Sequence, residues 1–232
     1  MCGTCGCNIP QTIADGHESV EVLTGLLDAN DHQAAHNREH FARHGVLAIN
    51  LMSSPGAGKT ALLEATIEAF QGRVGIAVIE GDLETENDAE RIRAKGIPAI
   101  QISTGSACHL DAHMVHDALH DLDLHSIDIL FIENVGNLVC PASFDLGQNF
   151  NVALLSTPEG HDKPAKYPVM FRAADLVLIT KSDLLQVLDD FDPTEALRCQ
   201  RQLASAAPML NLSAKTGDGL QAWLDWVEEA IA

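Results

Sequence analysis

Lys59 and Thr60 follow the turn Ser53-Ser54-Pro55-Gly56-Ala57-Gly58, which ends an apolar run from Val46 to Met52, and they open a helical pattern over residues 61–70. A cation and a hydroxyl at the mouth of a Gly-rich strand-to-helix turn suit polyphosphate binding. Backbone N–H groups of the turn and the helix N-terminus surround the β-phosphate, Lys59 neutralises the β/γ oxygens, and the Thr60 hydroxyl ligates Mg²⁺. The pattern G-x-x-x-x-G-K-[ST] is kept at Gly58, Lys59 and Thr60, with Gly56 and Ala57 completing the turn. It departs at Ser53, where the first Gly belongs.

Further stretches extend this chemistry. Residues 74–79 form an apolar run ending in Glu80-Gly81-Asp82. Asp82 is expected to hold Mg²⁺ or orient the attacking water, or else to cap the turn. Residues 127–132 run into Glu133-Asn134-Val135-Gly136, a strand ending in an acid and then a Gly able to sense a γ-phosphate. Glu133 is expected beside Thr60, at the sheet edge where α/β ligands bind. Lys59, Asp82 and Glu133 are the catalytic candidates, and Thr60, Asp82 and Glu133 the Mg²⁺ ligands. Thr180-Lys181-Ser182-Asp183 is a variant of the guanine motif N-K-x-D, in which Asp183 accepts from the two N–H groups of guanine that adenine lacks. Ser213-Ala214-Lys215 supplies a loop to back the base. In this order the elements point to GTP and GDP rather than ATP. Among the arginines, none is placed as a finger in cis, so slow intrinsic turnover is expected.

Soft ligands form a second set. Cys2, Cys5 and Cys7 lie within seven residues, separated by glycines, so three thiolates can turn to one centre. With Cys2 at the N-terminus after loss of Met1, its amine completes an S₃N set suited to square-planar Ni²⁺, and Zn²⁺ accepts the same donors tetrahedrally. A tail of reactive thiols is the plainer alternative. Cys108 and His109 are adjacent and are expected near a helix N-terminus, where the macrodipole favours thiolate. Cys140 follows Gly136 closely, placing a thiol next to the nucleotide switch, although taken alone it reads as a buried structural Cys. His32, His36, His40 and His44 are four apart, and His113, His116 and His120 continue from His109 at helical spacing. Both rows read as solvated helix faces rather than metal sites.

These groups need a scaffold, and the chain alternates apolar strand runs with helical patterns. That predicts an α/β fold with a doubly wound, mainly parallel sheet. A mobile metal-binding tail is expected over residues 1–30 and a GTPase domain over 31–232, closed by an amphipathic helix whose Trp223 and Trp226 pack on the sheet. The 232 residues carry 14 basic against 33 acidic groups, a formal charge of −19, which argues against nucleic-acid binding. With neither a membrane-length apolar run nor a signal-peptide pattern, the expected location is the cytoplasm, where six cysteines read as thiols or ligands rather than disulfides.

The Cys2-x-x-Cys5-Gly-Cys7 start, residues 53–60, Glu133–Pro141 and Thr180–Asp183 together resemble the HypB family, which shares the Ser53 departure. The resemblance covers essentially the whole chain and implies a P-loop NTPase of the SIMIBI type that hydrolyses GTP while delivering nickel to [NiFe]-hydrogenase. It also implies a tight nickel site at Cys2, Cys5 and Cys7, and a weaker nickel or zinc site at Cys108, His109 and Cys140 in a GTP-promoted homodimer interface. The partners it implies are HypA, the nickel-binding SlyD and the hydrogenase large subunit. Other readings of the residues are a nickel-binding module with a vestigial GTPase, an ATPase of the same branch, and a GTPase serving another nickel enzyme such as urease. Against the last, Val139-Cys140-Pro141 stands where urease accessory proteins carry Cys-Pro-His.

Overall fold

A computed structural model describes residues 16–82, 87–105, 107–203 and 205–231, with side chains from Leu27 onward. Cys2, Cys5 and Cys7 lie outside the described residues. Seven strands form one sheet in the order β3-β2-β4-β1-β5-β6-β7, and every pairing is parallel. They are β1 (Leu47–Ser53), β2 (Ile76–Asp82), β3 (Ala99–Ser103), β4 (Ile129–Glu133), β5 (Phe150–Ser156), β6 (Leu176–Thr180) and β7 (Met209–Asn211). β1 is buried along its whole length, as a central strand of a doubly covered parallel sheet must be. The chain visits β2, β3 and β4 on one side of β1 and then β5, β6 and β7 on the other. The P-loop therefore leaves the sheet where its winding reverses, the place at which ligands bind in open α/β sheets.

Successive strand residues point to opposite faces, and each face buries its own apolar set. On one face Leu47, Ile49, Leu51, Phe131 and Leu178 pack with Leu62, Leu63 and Phe70 of α2 (Lys59–Phe70) and Trp223 and Val227 of α8 (Leu220–Ile231). Trp223 is fully buried and its indole N–H donates to Thr66 Oγ1 at 2.9 Å, so the expected packing of the last helix on the sheet is found. On the other face Ala48, Ile79 and Ile132 meet Phe41 of α1 (Gly16–His44) and Val115 and Leu119 of α4 (Ala112–Leu119). Met52, Leu155 and Ile179 meet Met170 and Phe171 of α6 (Pro168–Ala173) and Ala196 of α7 (Pro193–Gln202). Two shorter helices, α3 (Asn87–Arg93) and α5 (Lys163–Lys166), complete the chain.

α1 runs without a break through residue 30, the boundary expected from sequence, and Asn30 is buried, donating to Asp145 O at 2.9 Å. One expectation needs correction. Cys108 and His109 do not begin a helix: α4 starts at Ala112, capped by Asp111, whose carboxylate accepts from Met114 N at 2.9 Å. The two residues sit in the turn before that cap, so the dipole of α4 does not reach Cys108 in the way the sequence suggests. β5 has no counterpart among the sequence-based expectations, yet it pairs directly with β1. Among the described residues no helix is long and apolar enough to cross a membrane.

Candidate functional site

The P-loop turns on Gly58, whose φ of 101° is open to glycine and strained for other residues. Lys59 and Thr60 come off this turn as the first residues of α2, both buried. Lys59 Nζ donates to Ser53 Oγ at 3.0 Å and lies 4.0 Å from Glu133 Oε1, while Thr60 Oγ1 donates to the same Glu133 oxygen at 3.0 Å. Ser53, the departure from the motif, thus supplies a hydroxyl that holds Lys59. Register places Glu80 of β2 directly opposite Glu133 of β4. Glu80, Asp88 and Glu133 each offer an oxygen within 4.8 Å of the others, and Glu80 Oε2 and Glu133 Oε2 are buried without hydrogen-bond partners.

Burial pushes the Glu80 carboxyl up to about 8, helped by the neighbouring Glu133 charge. Burial pushes Glu133 up to about 7, against the pull of Lys59. Two buried acids with orphaned oxygens beside a hydroxyl form a hard-oxygen set that fits Mg²⁺, which would replace the shared protons with a divalent charge.

Next to the P-loop, a cavity of about 280 Å³ is lined by Ala57, Gly58, Thr180, Lys181, Asp183, Ser213, Ala214 and Lys215. Thr180 Oγ1 donates to Ala57 O at 2.6 Å and Lys181 Nζ to Gly56 O at 2.7 Å, tying the loop after β6 to the turn after β1. The Thr that stands for Asn in the guanine motif makes this tie with its hydroxyl. Ser213 Oγ donates to Asp183 Oδ1 at 2.7 Å and so orients the carboxylate expected to read guanine.

The third cluster joins the turn before α4 to the segment that follows β4. Cys108 Sγ and Cys140 Sγ are 2.8 Å apart, and His109 Nδ1 is 3.8 Å from Cys108 Sγ. His109 is buried, stacked on Phe144 with ring centres 3.8 Å apart, and burial holds its pKa below the usual imidazole value. A neutral imidazole and two thiols suit a borderline metal such as Ni²⁺ or Zn²⁺. Asn134 joins this cluster to the nucleotide site: its Oδ1 accepts from Leu110 N, next to His109, at 3.1 Å, and it directly follows Glu133. On the same segment Gly136 lies against the P-loop, where a Cβ would fall 2.9 Å from Pro55 Cα.

The nucleotide-binding domain of the CobW, HypB and UreG proteins matches residues 47–211. The hydrogenase maturation factor HypB of Rhizobium leguminosarum is 52% identical over 216 residues, covering 92% of this chain and 71% of that protein. The chain belongs to the HypB family. Escherichia coli HypB is also 52% identical, over 90% of this chain and 72% of its own. The crystal structure of Helicobacter pylori HypB in complex with nickel superposes with a TM-score of 0.84 at 42% identity, covering 88% of this chain and 95% of that one. Archaeoglobus fulgidus HypB gives 0.82 at 39% identity over 89% and 100%. The fold is accordingly the P-loop GTPase fold of HypB proteins.

Lys59, Thr60 and Glu133 are in one another's reach, as the sequence motifs suggest, and so are Cys108, His109 and Cys140. Asp82 lies half-buried at the end of β2 and is not among the grouped carboxylates; Glu80, two residues earlier, is. Sequence reasoning missed Glu80 because a Glu inside an apolar strand looks like its exposed end. Period-2 alternation across β2 was the available signal, since Glu80 shares a face with Val78. Glu159 was also missed. It accepts from Ser54 Oγ of the P-loop at 2.5 Å and caps its own turn through Ser156.

Proposed function

We propose that this chain is a GTP-hydrolysing nickel metallochaperone that acts in the cytoplasm during maturation of [NiFe]-hydrogenase. The observation that carries the reading is that residues 133–140 belong to both sites. Glu133 holds Thr60, Asn134 holds the backbone beside His109, Gly136 rests on Pro55, and Cys140 is a metal donor. A γ-phosphate that displaces Gly136 or draws Glu133 to Mg²⁺ pulls on the ligands of nickel, so the two occupancies are linked.

GTP enters with its base against Asp183, Ser213, Ala214 and Lys215 and its phosphates on Gly56–Thr60. Lys59 neutralises the β/γ oxygens; Thr60 and Glu133, with Asp82 or Glu80, hold Mg²⁺, which supplies charge at the γ-phosphate. Water attacks the γ-phosphorus, the bond to the bridging oxygen breaks, and GDP and phosphate leave. Cys108, His109 and Cys140 hold Ni²⁺, with Zn²⁺ as competitor, and leave coordination positions for donors from a second copy. Val139, 51% exposed beside Cys140, and Val169, 48% exposed on α6, support such a self-contact, since α6 packs on the 140–143 turn. By family resemblance, HypA-type and SlyD-type nickel proteins and the hydrogenase large subunit are the exchange partners, and the Cys2/Cys5/Cys7 tail is a separate tight nickel site.

Nickel affinity at the Cys108/His109/Cys140 site, measured with GDP and then a non-hydrolysable GTP analogue, tests the reading. A difference of about tenfold or more, ~1.4 kcal/mol, is expected. Equal affinities with intact nucleotide binding overturn the coupling and leave a nickel-binding module. A second reading, service to urease as well, is favoured by the Helicobacter relatives named hydrogenase/urease maturation factors, 46% and 42% identical. Deleting the protein and assaying both enzymes in the same cells separates the two.

A further inference from the structure

Six histidines that neither site uses meet in one place. α1 and α4 pack against each other on the same face of the sheet. Their rings form a file: His120 to His116 at 5.0 Å between centres, His116 to His36 at 5.0 Å, His36 to His40 at 6.1 Å, His40 to His44 at 5.0 Å, and His44 to His125 at 4.9 Å. A sixth contact, His40 to His116 at 6.4 Å, closes a triangle with His36. The four-residue spacing in each helix makes the two rows; packing turns them toward each other.

An interface of imidazoles is a poor way to join two helices. Apolar side chains would bury more surface at no polar cost, and protonated rings would repel one another. His40 Nδ1 and His116 Nδ1 are moreover buried without a hydrogen-bond partner. Each such orphan loses its hydrogen bond to water and gains none within the fold. A purely structural histidine finds a partner, as His44 does when its Nδ1 bonds His40 O at 2.9 Å. That bond leaves the Nε2 lone pair of His44 as its available donor. Burial first, and then neighbouring charges, hold the pKa of His40 and of His116 below the usual imidazole value.

We propose that His36, His40 and His116 form an all-imidazole metal site, with His44 and His120 as flanking donors, that takes one borderline divalent cation such as Ni²⁺ or Zn²⁺. Two imidazoles that share an ion at about 2.0–2.1 Å in tetrahedral geometry hold their ring centres about 5 Å apart. The triangle spans 5.0 to 6.4 Å, so capture takes small χ rotations that turn the nitrogens inward. In the present rotamers the nitrogens are not drawn together as tightly as the Cys108/His109/Cys140 donors. His36 is exposed while His40 and His116 are half-buried, and the −19 charge of the chain favours cation approach. An ion here would cross-link α1 to α4. α4 begins three residues after His109, so the ion would also steady the segment that carries one edge of the thiolate cluster. This site needs no thiol and no nucleotide, and it stands whether or not the GTP-coupled reading does.

Equilibrium dialysis of the full chain against Ni²⁺, and separately Zn²⁺, near neutral pH tests it with the His36→Ala/His116→Ala variant beside the parent. The variant is expected to bind one equivalent fewer at micromolar free metal while its GDP affinity, which reports an intact fold, stays the same. In a full-length Cys2/Cys5/Cys7/Cys108/Cys140→Ser background, Co²⁺ should still bind, without thiolate charge-transfer bands, and should raise the melting temperature. Adding the two His changes should abolish both effects. Equal stoichiometry in parent and variant overturns the site, and so does Co²⁺ binding in the Ser background that survives removal of the histidines. If the double variant does not fold, His116→Gln is used, and unchanged stoichiometry there has the same force.

Discussion

At the residue scale the site turns on a carboxyl that the motifs do not contain. Glu80 is 3% exposed, faces Glu133 across the β2–β4 pairing, and keeps one oxygen without a partner. Two acids so placed are costly to ionise together and favour a shared divalent cation. Glu80→Gln keeps the shape and removes the charge. The expected outcome is that Mg²⁺-dependent tightening of GTP binding falls about tenfold or more, roughly 1.4 kcal/mol, while binding in chelator is unchanged. Titration of a fluorescent guanine nucleotide with and without Mg²⁺ reads both. An equal loss in the two conditions would mean that Glu80 only packs. Asp82→Asn in the same assay apportions the cation between the two acids, since Asp82 is half-buried at the strand end and outside the grouped oxygens.

At the element scale α1 is fastened by side-chain amides rather than by apolar contact alone. Asn37 is fully buried, and its Nδ2 donates to Ala112 O at 2.8 Å and to Leu146 O at 3.1 Å, joining α1 at once to α4 and to the loop before β5. Asn30 Oδ1 accepts from Ala112 N at 2.9 Å on the same side, and Gly147, at φ +89°, lies so close that a Cβ would sit 2.6 Å from Ala34 O. Asn37→Ala strands two carbonyls and is expected to cost about 2–4 kcal/mol. It would shift the urea midpoint of Trp223 and Trp226 fluorescence with little change in slope. An unchanged midpoint would show that α1 melts apart from the sheet. The sequence carried much of this architecture: Gly58-Lys59-Thr60, Glu133–Gly136 and Thr180–Asp183 announce themselves by local pattern, and each lies at the end of a parallel strand. What it could not carry is which surfaces meet. The two His rows are visible as helical periodicities, but their contact is a tertiary fact between residues about 80 positions apart. The turn at Cys108-His109 looked helical because the Asp111 cap is one polar residue among many. β5 escaped because its apolar core is only Val152–Leu155, a length shared with buried helix segments.

At the scale of the whole molecule, two buried groups of ionisable residues set opposite slopes of stability with pH. Glu80 and Glu133 are raised to about 8 and about 7 in the folded state, by burial first, against 4.5 for the free side chain. Below about pH 4.5 they are protonated in both states and contribute no penalty. Between there and about pH 8 the unfolded chain releases these protons before the folded chain does, so stability falls as pH rises. His40 and His116 act in reverse: burial lowers their folded pKa below 6.5, so as pH drops through that value the unfolded chain takes up protons first and stability falls. Above about pH 6.5 only the carboxyl slope remains, so the metal-free, nucleotide-free protein should melt progressively lower from there to about pH 8, and Trp fluorescence melts from about pH 5 to 9 would trace the curve. Glu80→Gln is expected to flatten the alkaline limb. Mg²⁺ with GDP should raise that limb most, since cation binding draws on the ionised form and replaces proton by metal. Zn²⁺ or Ni²⁺ on the imidazole triangle should lose its stabilising effect in acid, as protons compete for the ring nitrogens. A melting temperature that is flat from pH 6 to 8.5 and insensitive to Glu80→Gln would show that the buried carboxyl pair is ionised in the apo fold, held by Lys59, and would remove proton-for-metal exchange from the nucleotide site.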